Sequence, residues 1–358
     1  MKTSLIRFFT FGALMVSWTY LAIFAKELGI SDTEIGVIVA FNALALFVSS
    51  SIFGRASDKY GRKWFLWSGL ALSALGFFLQ ILAQDFLSLL ILRVFLGFTL
   101  GIYPASLVAF VKESKQSLAK FSSFGALGWG VGTLIGGLIA FFFAINQVFL
   151  FSSFLAFLAL MIALTLKFQK HQAIDVPRLP VDVVKRNLPL YLAVLIRHTG
   201  AHMIWTFWSL FLMELGADLL WVGVIQTMNS VTQFLFMYTL SGRIKYTLSV
   251  VAGLLLSSVT FLSFTFATNF WQLIPTQILL GVSWALLYVG GLRYLMDKNV
   301  EKATAGGLLE SVLSMASIIG PFLGAYVVAF GSYRSTMYVA SIFAFASFAL
   351  FLFLKTKQ

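Results

Sequence analysis

The chain of 358 residues contains no cysteine, which excludes disulfides, thiolate metal sites and cysteine nucleophiles while leaving the redox compartment open. Charge is scarce as well: Asp, Glu, Lys and Arg together make up 11% of the residues, against about a quarter in a soluble globular protein. No nucleophile–base constellation and no cluster of metal-ligating residues stands out. An enzyme is therefore disfavoured, and neither a cofactor nor a metal is expected. Carboxylates are nearly absent from the apolar stretches, where Glu310 is the one acid that falls inside a helix.

What fills the chain instead is apolar, with hydrophobic residues at 60%. Runs long enough to cross a hydrocarbon core of about 30 Å as a helix recur along the whole length. Twelve are expected, near 5–25, 34–53, 64–83, 87–111, 121–144, 147–166, 189–212, 220–241, 247–268, 271–295, 305–329 and 335–354. The formal charge of +12 follows membrane topology and not a nucleic-acid partner. With the N-terminus placed in the cytoplasm, 21 of the 25 Lys and Arg fall on the cytoplasmic side, leaving Lys26 and Arg334 outside and Arg93 and Arg197 within helices. The positive-inside rule then puts both termini in the cytoplasm. Lys2 and Arg7 ahead of an apolar run resemble a secretory signal, but no small-x-small cleavage site precedes Lys26, and a permanent span is expected.

The chain also repeats itself. WTYLAIFAKELG at Trp18–Gly29 returns as WTFWSLFLMELG at Trp205–Gly216, and 10 of 25 positions from Trp18 to Asn42 are identical at an offset of 187. Chance gives roughly one or two matches, so the halves are related copies. The expected organisation is a six-helix bundle at 1–167, a cytoplasmic linker with Pro177, Pro180 and a solvated His171 at 168–187, and a second six-helix bundle at 188–358.

The most specific motif is GRASDKYGRK, Gly54–Lys63, which joins the second and third spans on the cytoplasmic side. Gly54 and Gly61 permit close packing and a tight turn, Asp58 supplies an anion for a helix N-terminus, and Arg62 and Lys63 supply donors. Its order resembles the signature loop of the major facilitator superfamily at every defined position. Arg93 four residues before Gly97, and the glycine-rich GWGVGTLIGG with Thr133 in place of a proline, resemble two further signatures of that family. The resemblance covers the whole chain. It implies an all-α polytopic fold of twelve transmembrane helices in two six-helix bundles, a small-molecule substrate held between them, and transport by alternating access. It also assigns Gly54, Asp58, Gly61, Arg62 and Lys63 to a cytoplasmic gate.

Comparison of the halves separates packing from function. Asn42 agrees with Asn229 and reads as a structural interhelical hydrogen bond, while Gly128, Gly132 and Gly136 read as a close-packing stripe. Charge is where the copies part. Arg93 aligns with Gln277 at an offset of 184, and Phe11, Met15 and Trp18 align with His198, His202 and Trp205, with Arg197 alongside. In the family the first, fourth, seventh and tenth helices line the cavity. The resemblance therefore groups Trp18, Arg93, Arg197, His198, His202, Trp205, Trp284 and Tyr288 as substrate-cavity candidates. Arg at mid-helix costs about 2.5–3.5 kcal/mol on insertion scales, so two such residues point to pairing or to a watered cavity.

Three residues are candidates for proton coupling: His198, His202 and Glu310. The plainer reading of Glu310 is an ion pair with Arg55, Arg62 or Arg293 near the cytoplasmic boundary. The expected function is a secondary active transporter of the plasma or inner membrane, monomeric, exporting lipophilic or amphipathic compounds against protons. The first and fourth helices lack the acid that many drug antiporters of the family carry, so organic-anion uptake or exchange through Arg93 and Arg197 stands as an alternative. A non-transporting receptor or scaffold is a third reading.

Overall fold

The computed structural model describes residues 1–358 apart from 115, 117, 169–180, 240–243, 300–301 and 357–358; within helices, the side chains of 55, 58, 59, 112, 113, 118–120, 122, 238, 302–304, 355 and 356 are not described. The described chain forms thirteen α-helices: α1 (Lys2–Glu27), α2 (Asp32–Tyr60), α3 (Arg62–Leu79), α4 (Phe86–Ile102), α5 (Pro104–Glu113), α6 (Leu118–Phe142), α7 (Gln147–Leu164), α8 (Val181–Glu214), α9 (Leu219–Thr239), α10 (Tyr246–Phe264), α11 (Leu273–Lys298), α12 (Lys302–Ala329) and α13 (Tyr333–Thr356). Pro104 lacks the N–H that would continue α4, so α4 and α5 are one crossing interrupted at Tyr103. That leaves twelve crossings. Eleven of them are long and apolar enough to span a membrane by composition. The twelfth, α8, is the longest helix at 34 residues, and its apolar run is interrupted by Arg197, His198 and His202.

The repeated Glu-Leu-Gly phrase is a helix stop. Gly29 and Gly216 both take positive φ, 75° and 87°, a region that a side chain makes costly. After α1 the Ile30 N–H donates to the Ala25 carbonyl and the Gly29 N–H to the Lys26 carbonyl, both at 3.0 Å. After α8 the Ala217 N–H donates to the Leu212 carbonyl at 3.0 Å and the Gly216 N–H to the Met213 carbonyl at 2.9 Å. The next helix then starts on a side-chain cap in each copy. Ser31 and Glu34 form a reciprocal capping box on α2, and Asp218 Oδ1 accepts from the Trp221 N–H at 2.8 Å on α9. Asp85 caps α4 in the same manner, and the hydrogen bonds it accepts from the Ser88 hydroxyl and N–H hold its carboxyl below the usual range.

The Cα positions group into two compact units, 1–176 with 218–227, and 177–217 with 228–358. In the first unit α1 packs on α6 and α7, α2 on α4, and α3 on α4 and α7, around Leu66, Leu70, Phe77, Leu107 and Phe121. In the second, α8 packs on α12 and α13, and α10 on α11 and α13, around Leu190, Val250, Leu254, Tyr294 and Phe351. The expected asparagine bond is present in both copies: Asn42 Nδ2 donates to the Arg93 carbonyl at 2.7 Å, and Asn229 Nδ2 to the Gln277 carbonyl at 3.3 Å. The glycine stripe is packing too, since a Cβ on Gly132 would meet Gly12 Cα at 2.7 Å and one on Gly136 would meet Val16 at 3.1 Å. Outside, Phe142, Phe143, Phe154, Phe330 and Ile342 are exposed, the surface that a lipid solvent favours and water does not.

The GRASDKYGRK segment departs from its expected form. It is no open loop: α2 runs through Tyr60, Gly61 alone makes the corner with φ 97°, and α3 begins at Arg62. One residue free to adopt positive φ is enough to stop a helix. The expected linker is shorter as well, because α8 begins at Val181.

Candidate functional site

The polar stripe of α8 is the centre of the second unit. His198, His202 and Trp205 recur at intervals of four and three residues, which puts them on one helical face. Arg197, beside them, is the largest fully buried side chain among the described residues, at 0% exposure. Its Nε–H donates to Ser257 Oγ on α10 at 3.0 Å, and Nη1 lies 3.2 Å from His198 Nδ1. Arginine has no acceptor, so His198 Nδ1 must accept, and its imidazole is the neutral tautomer with the proton on Nε2. Nη2 has no hydrogen-bond partner, and no carboxylate among the described residues reaches the guanidinium. Phe261 and Trp284 partly cover the charge, their ring centroids 5.1 and 5.3 Å from Cζ.

From His198 a run of rings leads outward. His198 stacks on Trp284 of α11 at 4.8 Å and 24°, and Trp284 stacks on Tyr288 at 5.3 Å and 27°. The Tyr288 hydroxyl then donates to Glu310 Oε1 of α12 at 2.8 Å. His202 and Trp205 meet His198 edge-on at 5.0 and 5.2 Å. Trp205, Trp284 and Tyr288 are half-buried, while Glu310 is exposed. The structure thus brings together Arg197, both histidines, Trp205, Trp284, Tyr288 and Glu310 within one unit. Glu310 pairs with no arginine among the described residues; Arg293 Nη1 donates to the Ile244 carbonyl at 2.8 Å. The partner observed for the acid is Tyr288, on the facing helix; the side chain of Arg55, one of the three arginines expected to pair with it, lies outside the described residues.

Arg93 and Trp18 belong to the first unit. Arg93 is 2% exposed, with Cζ 5.3 Å from the Phe149 ring and one long contact of 3.5 Å from Nη2 to the Ser17 carbonyl. Its Nε has no partner. Trp18 is half-buried on α1. At the α2–α3 corner, Arg62 is buried and its Nη1 donates to Ser57 Oγ at 2.8 Å, and exposed Lys63 lies 4.5 Å from the Trp67 ring. Gly54 is not forced by packing, because a Cβ there would meet only Ala105 at an ordinary 3.6 Å. The side chain of Asp58 and the linker residue His171 lie outside the described residues.

Comparison with known proteins decides the family. The model of the Major Facilitator Superfamily matches residues 3–188 and 190–358. The chain belongs to the major facilitator superfamily. This superfamily member is a multi-pass membrane transporter, not an enzyme. It is 25% identical over 366 residues to the "Multidrug resistance protein MdtG" of Proteus mirabilis, covering 94% of this chain and 91% of that relative. It is 24% identical over 362 residues to the protein of the same name from Escherichia fergusonii, covering 93% of this chain and 88% of that one. In fold it is similar to the nucleoside transporter NupG, with a TM-score of 0.82 at 15% identity and 98% of each chain covered. The human organic anion transporter MFSD10 gives a TM-score of 0.68 at 17% identity, again with 98% of each chain covered. Those two likenesses show the fold alone.

Two groups in this transporter escaped the sequence. Ser257, fully buried on α10, accepts from Arg197 and donates to the Gly253 carbonyl at 2.7 Å. A lone serine on an apolar helix carries no signal of its partner. Asn187, assigned to the linker by sequence, instead exchanges hydrogen bonds with Asn299 of 2.9 and 3.0 Å in a buried amide pair. The only available hint was an amide flanking the apolar run of each helix.

Proposed function

We propose that this transporter exports lipophilic or amphipathic small molecules in exchange for protons, by alternating access, in a plasma or inner membrane with both termini cytoplasmic and the monomer as the working unit. Its bundles are taken as 1–167 and 188–358, joined by 168–187, of which 181–187 form the start of α8. The full-length similarity to proteins named for multidrug resistance supports the substrate class. The observation that carries the site is the half-buried run of Trp205, Trp284 and Tyr288 beside a neutral His198. Flat aromatic faces bind varied apolar bodies with little demand on their polar groups.

In this reading Trp18, Arg93, Arg197, His198, His202, Trp205, Trp284 and Tyr288 contact substrate. His198 and His202 carry the proton, with Glu310 as the other candidate, and the Gly54, Asp58, Gly61, Arg62 and Lys63 corner acts as the cytoplasmic gate. A histidine titrates near pH 6.5 when unperturbed and so changes charge within the physiological range. The test is flux in proteoliposomes carrying the purified chain: an imposed pH gradient should drive a lipophilic fluorescent dye across the bilayer, and collapsing the gradient should stop it. A chain that moves neither dyes nor organic anions under any ion gradient would point to a scaffold. One observation favours a second reading, organic-anion transport: the buried charge of Arg197 meets no carboxylate among the described residues, and such a charge is costly without a counter-ion.

A further inference from the structure

We propose that Arg197 and His198 form one binding site for an organic carboxylate and a proton, taken up together in a ratio of one to one. The inference deepens the organic-anion reading and rests on it. Its basis is donor and acceptor bookkeeping in the second unit. In the described conformation Arg197 Nη1 uses His198 Nδ1 as its acceptor at 3.2 Å, Nε uses Ser257 Oγ at 3.0 Å, and Nη2 is buried with no acceptor at all. His202 Nδ1, one turn away, is likewise buried and unpartnered.

Protonation of His198 at Nδ1, by a proton from bulk solution, forms a single N–H bond and removes the only acceptor that Nη1 has. Two cations then face each other, and three N–H groups, from Nη1, Nη2 and Nδ1, have nothing to donate to. A carboxylate satisfies this arrangement. Its two oxygens offer about four acceptor positions and match the guanidinium fork. Neither guest is well accommodated alone. The proton without the anion leaves adjacent uncompensated charges, and the anion without the proton must compete with Nδ1 for Nη1. Bound as a pair they add no net charge to an apolar interior.

The groups around His198 leave the assignment unambiguous. From α8 itself they are Arg197 and His202; from α11, Trp284 and, beyond that ring, Tyr288; from α12, Glu310, held by Tyr288 and separated from His198 by two rings. On α10 the nearby groups are the Ser257 hydroxyl and the Phe261 ring. Trp284 covers the pair, half-buried and stacked on both His198 and Tyr288, so entry of the carboxylate requires that ring to swing aside. The body of the anion then lies against Trp284 and Tyr288, which selects aromatic or aliphatic monocarboxylates over small hydrophilic ones.

The test is equilibrium binding of benzoate and decanoate to the full chain in lipid nanodiscs, followed by Trp fluorescence, over roughly pH 6 to 8 where a histidine changes charge. With one proton taken up per anion, affinity should weaken about tenfold for each unit of rising pH. Benzamide, the uncharged counterpart, should not bind. His198→Gln should flatten the pH dependence, and Arg197→Gln should remove anion binding. The wild-type slope alone decides the matter if a variant fails to fold. A slope of zero, binding of neither carboxylate, or equal binding of benzamide overturns the proposal. Because binding is read without flux, tight pH-linked binding in a chain that moves no solute would sink the transport reading and leave this site standing.

Discussion

Replacement of Gly97 by alanine is expected to force α2 off α4 in the first unit. A Cβ at that position would run into the Asn42 carbonyl oxygen and come within 2.7 Å of Asn42 Nδ2 and 3.0 Å of the Asn42 carbonyl carbon. Two of these atoms are backbone, so no rotamer change relieves the clash and α2 must move off α4. Overpacking of this kind costs about 1–3 kcal/mol. The Asn42 bond to the Arg93 carbonyl breaks with it, at about 0.6–1.7 kcal/mol for an interhelical bond in a membrane, for a total of roughly 2–5 kcal/mol. Gly281, its partner in the repeat, has Thr232 Cβ at 2.9 Å and the Asn229 carbonyl at 3.0 Å, a milder collision in the lower part of the same overpacking range of ~1–3 kcal/mol. Gly54→Ala meets only Ala105 at 3.6 Å and gains helix propensity of up to about 1 kcal/mol. Unfolding by SDS in mixed micelles should rank the variants Gly54→Ala, then Gly281→Ala, then Gly97→Ala in falling stability. Substrate transport should fall with Gly97→Ala as well, because the turn that carries Arg93 is displaced. Equal stability of Gly97→Ala and Gly54→Ala would refute the packing argument.

Gly29→Ala and Gly216→Ala should each cost about 1–2 kcal/mol through backbone strain alone, since no atom lies within 4 Å of either added Cβ. Mixed-micelle unfolding should find the two losses similar, and a loss at one site only would break the equivalence of the two helix stops. Asp58→Asn is expected to abolish transport in proteoliposomes while expression and substrate affinity stay near wild type; unchanged flux would remove the corner from the gate. His198→Gln combined with His202→Gln should end accumulation driven by a pH gradient yet preserve substrate-for-substrate exchange. If that variant accumulates normally and Glu310→Gln does not, the coupling proton belongs to Glu310.

The sequence reading reached the helices because twelve apolar runs have no other use in a chain with so little charge. Family membership was legible from Gly54 to Lys63, although the shape of that motif was not: seven of its ten residues read as loop and belong to α2, because Gly61 supplies the whole corner. The start of α8 was hidden by Pro177 and Pro180, which look like linker, while the helix begins one residue later at Val181. The cluster on α8 was legible through the contrast between Phe11 and Met15 and their polar counterparts His198 and His202. The atoms that hold it were not. Ser257 lies 60 residues from Arg197, and which serine of an apolar helix meets a given arginine depends on rotation and register that hydropathy does not encode. Glu310 illustrates the same limit, since hydropathy gives no sign of the phenol on the facing helix that donates to it.

The two copies differ at positions whose backbones they hold alike. The carbonyl of Arg93 accepts from Asn42, and the carbonyl of Gln277, at the equivalent place, accepts from Asn229. In both, the asparagine recognises only the backbone, so the side chain at that position is free to change from cation to amide without loss of the interhelical bond. The same holds on α1 and α8. Gly132 lets α6 approach α1 at Gly12, and Gly320 lets α12 approach α8 where His202 and Thr199 stand. These contacts fix how near the helices come and do not dictate Phe, Met, His or Trp at the stripe beside them. Charge therefore accumulated in one copy along a face whose position was already secured by glycines and amides. That is why Arg197, a buried cation that meets no carboxylate among the described residues, stands in a well-packed unit: the cost of holding it falls on Ser257, His198 and the surrounding rings, while the helix stops and interhelical locks on either side remain those of the first copy.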